Sequence, residues 1–215
     1  MAGAETRAAA PGWSELPLRE RKKLRTRGAL VETALGLFTE KGFAATTLDE
    51  IVEAVEVSKR TFFRTFASKE DVALAPEKEL WRAYVADIEA RPLAGGPLLD
   101  FCEAPLYAAV EGMADGWERR FVASRALADR TPALTAHSLQ HCSEVTDTVV
   151  ASLSGRIEGA SAVEIRLLLE LTLSAWRCAL RDWSAPGGGR SRAELAAHMD
   201  RAFAAIPGVM GLTAD

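Results

Sequence analysis

Apolar positions along this chain recur every three or four residues. Alternating Val/Ile/Thr runs are absent, and Ala, Leu, Glu and Arg dominate. That spacing predicts an all-α protein. The first helix is expected from Arg19 to Lys41, with Leu24, Val31, Leu35 and Phe38 on one stripe and Gly42 as its stop. Residues 47–66 read as two short helices joined by a tight turn. A fourth helix should begin at Ser68 and carry Trp81, Val85 and Ile88 towards Arg91, with Pro76 kinking or breaking it. Beyond the Gly- and Pro-rich loop 91–97, helices are expected over 98–116 and 117–129, the first bent or split at Pro105. Thr131 as a cap and Pro132 at the first helical position open another, to about Leu153. A long apolar helix over 161–184 and a last one from Ser191, ended by Pro207-Gly208, complete the series. The organisation implied is a disordered tail (1–18), a three-helix head (19–67) and a larger helical body (68–215).

The pair of short helices carries the chemistry. Thr47 can cap the first, and Glu50 three residues on completes a capping box. Ile51, Val55 and Val57 supply its apolar side. Ser58 caps the second helix, and Phe62 and Phe66, four apart, face inwards. Lys59, Arg60 and Arg64 are then left on the outer surface. Two such helices form a helix-turn-helix whose second member can enter the DNA major groove.

Charge sharpens that reading. The chain of 215 residues has a formal net charge of -4, which argues against a uniformly basic nucleic-acid binder. The first 75 residues hold 12 Lys/Arg against 11 Asp/Glu, and the remaining 140 hold 14 against 19. Six basic residues crowd between Arg19 and Arg27 with Glu20 alone opposing them, and Lys22 and Lys23 sit at the centre. Beside a helix-turn-helix, such an arm suits phosphates. Cys102, Cys142 and Cys178 are scattered and lack CxxC spacing, which fits free thiols in a reducing cytosol. No apolar run approaches a membrane span, and residues 1–17 lack the apolar stretch of a signal peptide. A cytoplasmic protein without a membrane partner is expected, associated with the bacterial nucleoid when on DNA.

With these residues in view, the chain resembles the TetR family of one-component transcriptional regulators. The resemblance is carried by TRGALVETALGLFTEKGFAATTLDEIVEAVEVSKRTFFRTFASKEDV, within residues 19–75. Phe38, Glu40, Gly42, Phe43, Thr46, Thr47, Ile51, Val57, Ser58, Thr61, Phe62, Phe63, Phe66, Ser68, Lys69 and Glu70 fall on the family pattern. The resemblance implies phosphate contacts for Thr47, Ser58, Thr61 and Lys69, and base-edge or phosphate contacts for Lys59, Arg60 and Arg64. A hydroxyl at a helix N-terminus suits phosphate, and Arg reads guanine through two hydrogen bonds. Family members often carry Tyr where Phe63 and Thr65 stand; Phe63 cannot donate to a phosphate, whereas Thr65 can. The turn position usually held by Gly is Glu56, which must adopt a left-handed conformation or use another turn. The resemblance also implies a homodimer through the last two helices and a body pocket for a small, largely apolar effector that releases DNA.

In the body, Leu169, Leu173, Trp176, Leu180 and Trp183, with Phe203 on the last helix, read as a dimer seam; the other reading is an internal core stripe. Candidate effector contacts are Trp81, Tyr84, Phe101, Tyr107, Met113, Trp117, Phe121 and Arg125. His137 and His141 share a helix face near Cys142 and Glu144, a spacing that can bind metal but more often marks surface or pocket-lining histidines. No GxSxG, HExxH or phosphate-loop motif is present, so neither an enzyme nor a cofactor or metal is expected. The function expected is a sequence-specific, ligand-responsive regulator, a repressor, binding a near-palindromic operator in double-stranded DNA as a dimer. Its rivals are a constitutive DNA-binding protein whose body only dimerises, and a small-molecule-binding protein with a vestigial head.

Overall fold

The computed structural model describes residues 17–185, 190–209 and 211–213, so the expected tail lies almost wholly outside the described residues. Among those residues the secondary structure is ten α-helices. They fall into two compact units, one ending at Val72 and the other beginning at Ala73.

The first unit contains α1 (Leu18–Lys41), α2 (Leu48–Ala54), α3 (Lys59–Thr65) and most of α4 (Lys69–Ala73). Leu30, Val31, Ala34, Leu35 and Phe38 of α1 are buried with Ile51, Val52, Phe62 and Phe66. Leu24 departs from the expected stripe and is exposed, because it lies two turns N-terminal to the point where α1 gains buried neighbours. Gly42, at φ 86°, ends α1, and its N–H donates to the Phe38 carbonyl. The buried Thr46 hydroxyl then donates to the Gly42 carbonyl at 2.9 Å, closing the loop into α2.

The second unit contains α5 (Ala75–Ala90), α6 (Leu98–Glu111), α7 (Trp117–Ala128), α8 (Pro132–Ser154), α9 (Ala162–Trp183) and α10 (Arg192–Val209). Pro76 breaks rather than kinks the expected fourth helix: α4 stops at Ala73, and Pro76 falls in the first turn of α5, where its missing N–H costs nothing. Pro105 does not split α6, and Pro207 does not end α10, which continues to Val209. In each case the proline ring already has a helical φ, and one lost hydrogen bond is outweighed by its neighbours. Thr131 makes no side-chain cap; its carbonyl receives Leu134 and Thr135 instead. Ser161 opens α9 with a full capping box to Glu164.

Burial reverses the expected seam. Leu169, Leu173, Trp176, Leu180, Trp183 and Phe203 are all buried in the chain's own core, with Trp183 fully enclosed. They form the core stripe that was the alternative reading. The outward face of α9 carries a different set, Val163, Leu167, Leu171 and Cys178. Helix α10 turns Ala193, Ala197, Ala204 and Ala205 outwards.

Candidate nucleic-acid interface and body cavity

The helix-turn-helix is built by its caps. The Thr47 hydroxyl accepts from the Glu50 N–H, and the Glu50 carboxylate accepts from the Thr47 N–H at 2.8 Å. Lys41 donates to the same carboxylate at 2.7 Å. With that bond as the chief cause and the Thr47 bonds behind it, the Glu50 carboxyl is held down to about 2. The turn is made by Glu56 at φ 56°, the left-handed conformation its missing glycine required. Ser58 then caps α3, accepting from the Thr61 N–H at 3.1 Å. Phe62 is fully buried and meets Phe66 at 5.7 Å between ring centroids.

These constraints decide which side chains α3 offers to solvent. Arg60 and Arg64 are exposed and make no hydrogen bond or ion pair among the described residues. Phe63 is 57 % exposed, an aromatic ring projecting beside them. Lys59 points back to Asp49 at 2.6 Å, an exposed ion pair of little strength that a phosphate can displace. Ser58 and Thr61 share a hydroxyl–hydroxyl hydrogen bond of 3.1 Å, and the Thr65 hydroxyl donates to the Thr61 carbonyl at 3.0 Å. Lys22 and Lys23 are exposed on α1, Lys23 only loosely near Glu20 at 3.9 Å.

Two basic residues are internal struts. Lys69 donates to the Phe43 carbonyl at 2.7 Å and the Thr46 carbonyl at 2.9 Å, and its ammonium lies over the Phe43 ring. It ties α4 to the α1–α2 loop, which uses two of its three donors on the protein itself rather than on a phosphate. Arg27 likewise donates to the Thr65 carbonyl and stacks over Phe66 at 4.4 Å.

The body holds a cavity of about 390 Å³, lined by residues from α5, α7, α8 and α9. Trp81, Phe121 and Arg125 line it as expected. So do Leu173, Trp176, Leu180 and Trp183, four of the residues expected at a seam. Tyr84, Phe101, Tyr107, Met113 and Trp117 do not. Tyr84 packs edge-on against Trp81, Tyr107 donates to Asp200 at 2.8 Å, and Phe101 and Met113 lie on the core's flank. Trp117 is enclosed, its indole N–H donating to the Pro76 carbonyl at 3.0 Å, while the Ser124 hydroxyl holds the Ala73 carbonyl at 2.6 Å. They are core because their helices turn those faces towards one another.

Glu77, Ser138 and Cys142 are among the cavity-lining residues that the sequence did not single out. Glu77 is 5 % exposed. Its Oε1 accepts from the Ser138 hydroxyl at 2.8 Å and from the Cys142 thiol at 3.7 Å. Burial pushes the Cys142 thiol up to about 12, with the Glu77 charge adding to it, so at neutral pH it remains a donor. A signal for Glu77 was present in the sequence: it stands in register with Leu80, Trp81, Tyr84 and Ile88, a charge on an otherwise apolar stripe. His137 faces Lys78 at 3.4 Å, His141 is 3.9 Å from Glu144, and no group of three metal-ligating side chains forms among the described residues.

The family model for bacterial regulatory proteins of the tetR family matches residues 30–75, the stretch from the core of α1 to the start of α5. The HTH-type transcriptional regulator TcmR of Streptomyces glaucescens is 37% identical over 175 residues, 77% of this chain and 76% of that protein. Among solved structures, a TetR-family transcriptional regulator from Mesorhizobium loti superposes at TM-score 0.52 with 17% identity, over 87% of this chain and 98% of the other. A transcriptional regulator from Aquifex aeolicus gives 0.52 and 16%, over 86% and 99%. Those two similarities speak to the fold; the head motif and the similarity to TcmR speak to the family. The chain belongs to the TetR family of DNA-binding transcriptional regulators.

Proposed function

We propose that this protein is a dimeric, ligand-responsive repressor that reads a near-palindromic operator and leaves it when a small effector occupies the body. The observation that carries this reading is the cavity of about 390 Å³, which falls in the usual size range of small-molecule sites and is walled by aromatic rings. A body that served only for dimerisation would have no use for it. Arg60 and Arg64 read bases from α3, with Phe63 alongside them against sugar or a thymine methyl. Thr47, Ser58 and Thr61 face phosphates, and Lys22 and Lys23 add charge. The seam in this reading is the outward face of α9, Val163, Leu167, Leu171 and Cys178, with the outward alanines of α10; small side chains let two helix pairs approach closely. The effector releases DNA only as far as it prefers the conformation that does not fit the operator. Binding rather than catalysis is the role assigned, in the bacterial cytoplasm.

Selection from random duplex DNA at two salt concentrations tests the reading. An enriched near-palindrome is expected, and its affinity should fall when the cavity is filled. Arg60→Ala should cost about 1–3 kcal/mol and relax one operator position. Binding that is salt-labile and without sequence preference would remove α3 from readout.

A further inference from the structure

Four helix ends of the second unit are joined around Arg192, the first residue of α10. Its Nε donates to the Glu118 carboxylate, in the first turn of α7, at 2.5 Å. Its terminal nitrogens donate to the carbonyl of Glu111, the last residue of α6, at 2.8 Å and to the Ala114 carbonyl, before α7, at 3.1 Å. One residue earlier, the Ser191 carbonyl accepts from the indole N–H of Trp183, the last residue of α9, at 3.0 Å. Arginine suits this place, because its planar fork reaches several acceptors in fixed directions and a cation is favoured at a helix C-terminus such as that of α6. The Arg192 and Glu118 side chains are each 21 % exposed, so salt screens their attraction less than on an open surface.

The same helix, α7, holds the point at which the chain leaves the body. Trp117, next to Glu118, donates through its indole N–H to the Pro76 carbonyl in the first turn of α5, and its enclosed ring packs on Phe121. Further along α7, the buried Ser124 hydroxyl donates to the carbonyl of Ala73, where α4 ends and the second unit begins. The start of α10 is thus tied to α7, and α7 to the start of α5, by directional bonds at each step. A base pair inserted between two half-sites moves them about 3.4 Å apart and turns one by about 34–36° relative to the other. Heads carried on stiff links reject that displacement, and heads on a loose joint follow it. Resting on the dimeric reading above, we infer that Arg192 is a positioning residue for operator recognition. By fixing α10 to α7, and through α7 the start of α5, it makes the dimer select the spacing between half-sites. Arg60 and Arg64 choose the bases within a half-site, and Arg192 the distance between the two.

The test is a ratio of affinities. The operator recovered by selection is compared with duplexes carrying one base pair more or one fewer between the same half-sites. The wild type should favour its own spacing, and Arg192→Gln should cut that preference about tenfold, within the range by which a network residue shifts the coupling between sites. Lowered stability removes active protein from every duplex alike, so it cancels in the ratio. Glu118→Gln keeps both carbonyl bonds and should lose part of the preference. Arg166→Gln breaks an exposed ion pair to Asp147, between α9 and α8, and should leave the ratio unchanged. An unmoved ratio in Arg192→Gln, or in Glu118→Gln where Arg192→Gln does not fold, would overturn the inference. So would an equal drop in Arg166→Gln, or a wild type indifferent to spacing; each of these outcomes leaves a dimeric regulator in place. Selection that yields no near-palindrome with the wild type would overturn the dimeric reading and this inference together.

Discussion

The two units engage their polar side chains differently. In the head, two cations near the core are engaged internally: Lys69 on two backbone carbonyls, Arg27 on Thr65 and the Phe66 ring. The exposed Arg60 and Arg64 of α3 make no hydrogen bond or ion pair among the described residues, and Arg21 Nε, near the start of α1, is also without a partner. In the body, Glu77 Oε2, Trp81 Nε1 and His141 Nε2 are buried without a hydrogen-bond partner, and Glu77 and Trp81 both line the cavity. A surface cation without a partner costs little because water solvates it; a buried one is expensive unless something arrives to pair it. In the proposed reading, the first unit serves a large charged partner and the second a small one.

The sharpest way to break that contrast is to exchange the two faces of α9. Trp176→Glu buries a charge among aromatic rings and should cost more than about 4 kcal/mol, unfolding the body. Leu171→Glu should leave the melting temperature unchanged and give monomers, with operator affinity down about a hundredfold as the second head is lost. A folded monomer from Trp176→Glu would restore the buried stripe as the seam. In the same experiment, maleimide labelling of Cys178 should be slow in the dimer and fast in the Leu171→Glu monomer. Lys69→Met should lower head stability by about 2–3 kcal/mol, since two carbonyls lose a charged donor, while leaving the salt dependence of DNA binding unchanged. A salt slope reduced by about one would return Lys69 to a phosphate.

Smaller effects sharpen the picture of the head. Glu56→Gly should raise its stability by about 0.5–1 kcal/mol in urea titration, the relief of the left-handed conformation less the freedom glycine adds to the unfolded chain. No gain would mean that the Glu56 side chain compensates for its backbone. The smallest effect is with pH. Glu50 is held below its ordinary value, so its stabilising contribution is present above about pH 4.5 and is lost as pH falls towards about 2. Glu50→Gln should flatten the head's stability across that window, and an unaltered acid limb would assign the loss to other carboxylates.

The head was legible because its information is local. A capping box four residues long, two phenylalanines four apart and a stop glycine each specify their own conformation, and all of them recur in the structure. The body was legible only as helices. An apolar helix with two oily faces does not say which face meets its own chain and which meets a copy, and α9 is such a helix. The cavity was less readable still, because Glu77, Ser138 and Cys142 come together from α5 and α8 only after packing. Of the expected effector contacts, Trp81, Phe121 and Arg125 line the cavity; Tyr84 and Trp117 fill the core and Phe101, Tyr107 and Met113 pack against it, because size alone drives burial.

Glu56 has a consequence for how such a regulator changes over generations. A readout helix can acquire new base preferences only through substitutions that the fold survives, and most substitutions there subtract stability. A residue other than glycine at the left-handed turn before α3 leaves a reserve that a single codon change can release. A lineage that first took glycine at 56 would carry the margin needed to try otherwise lethal variants at Arg60, Phe63 and Arg64. The strained turn is therefore an unspent allowance for acquiring a new operator.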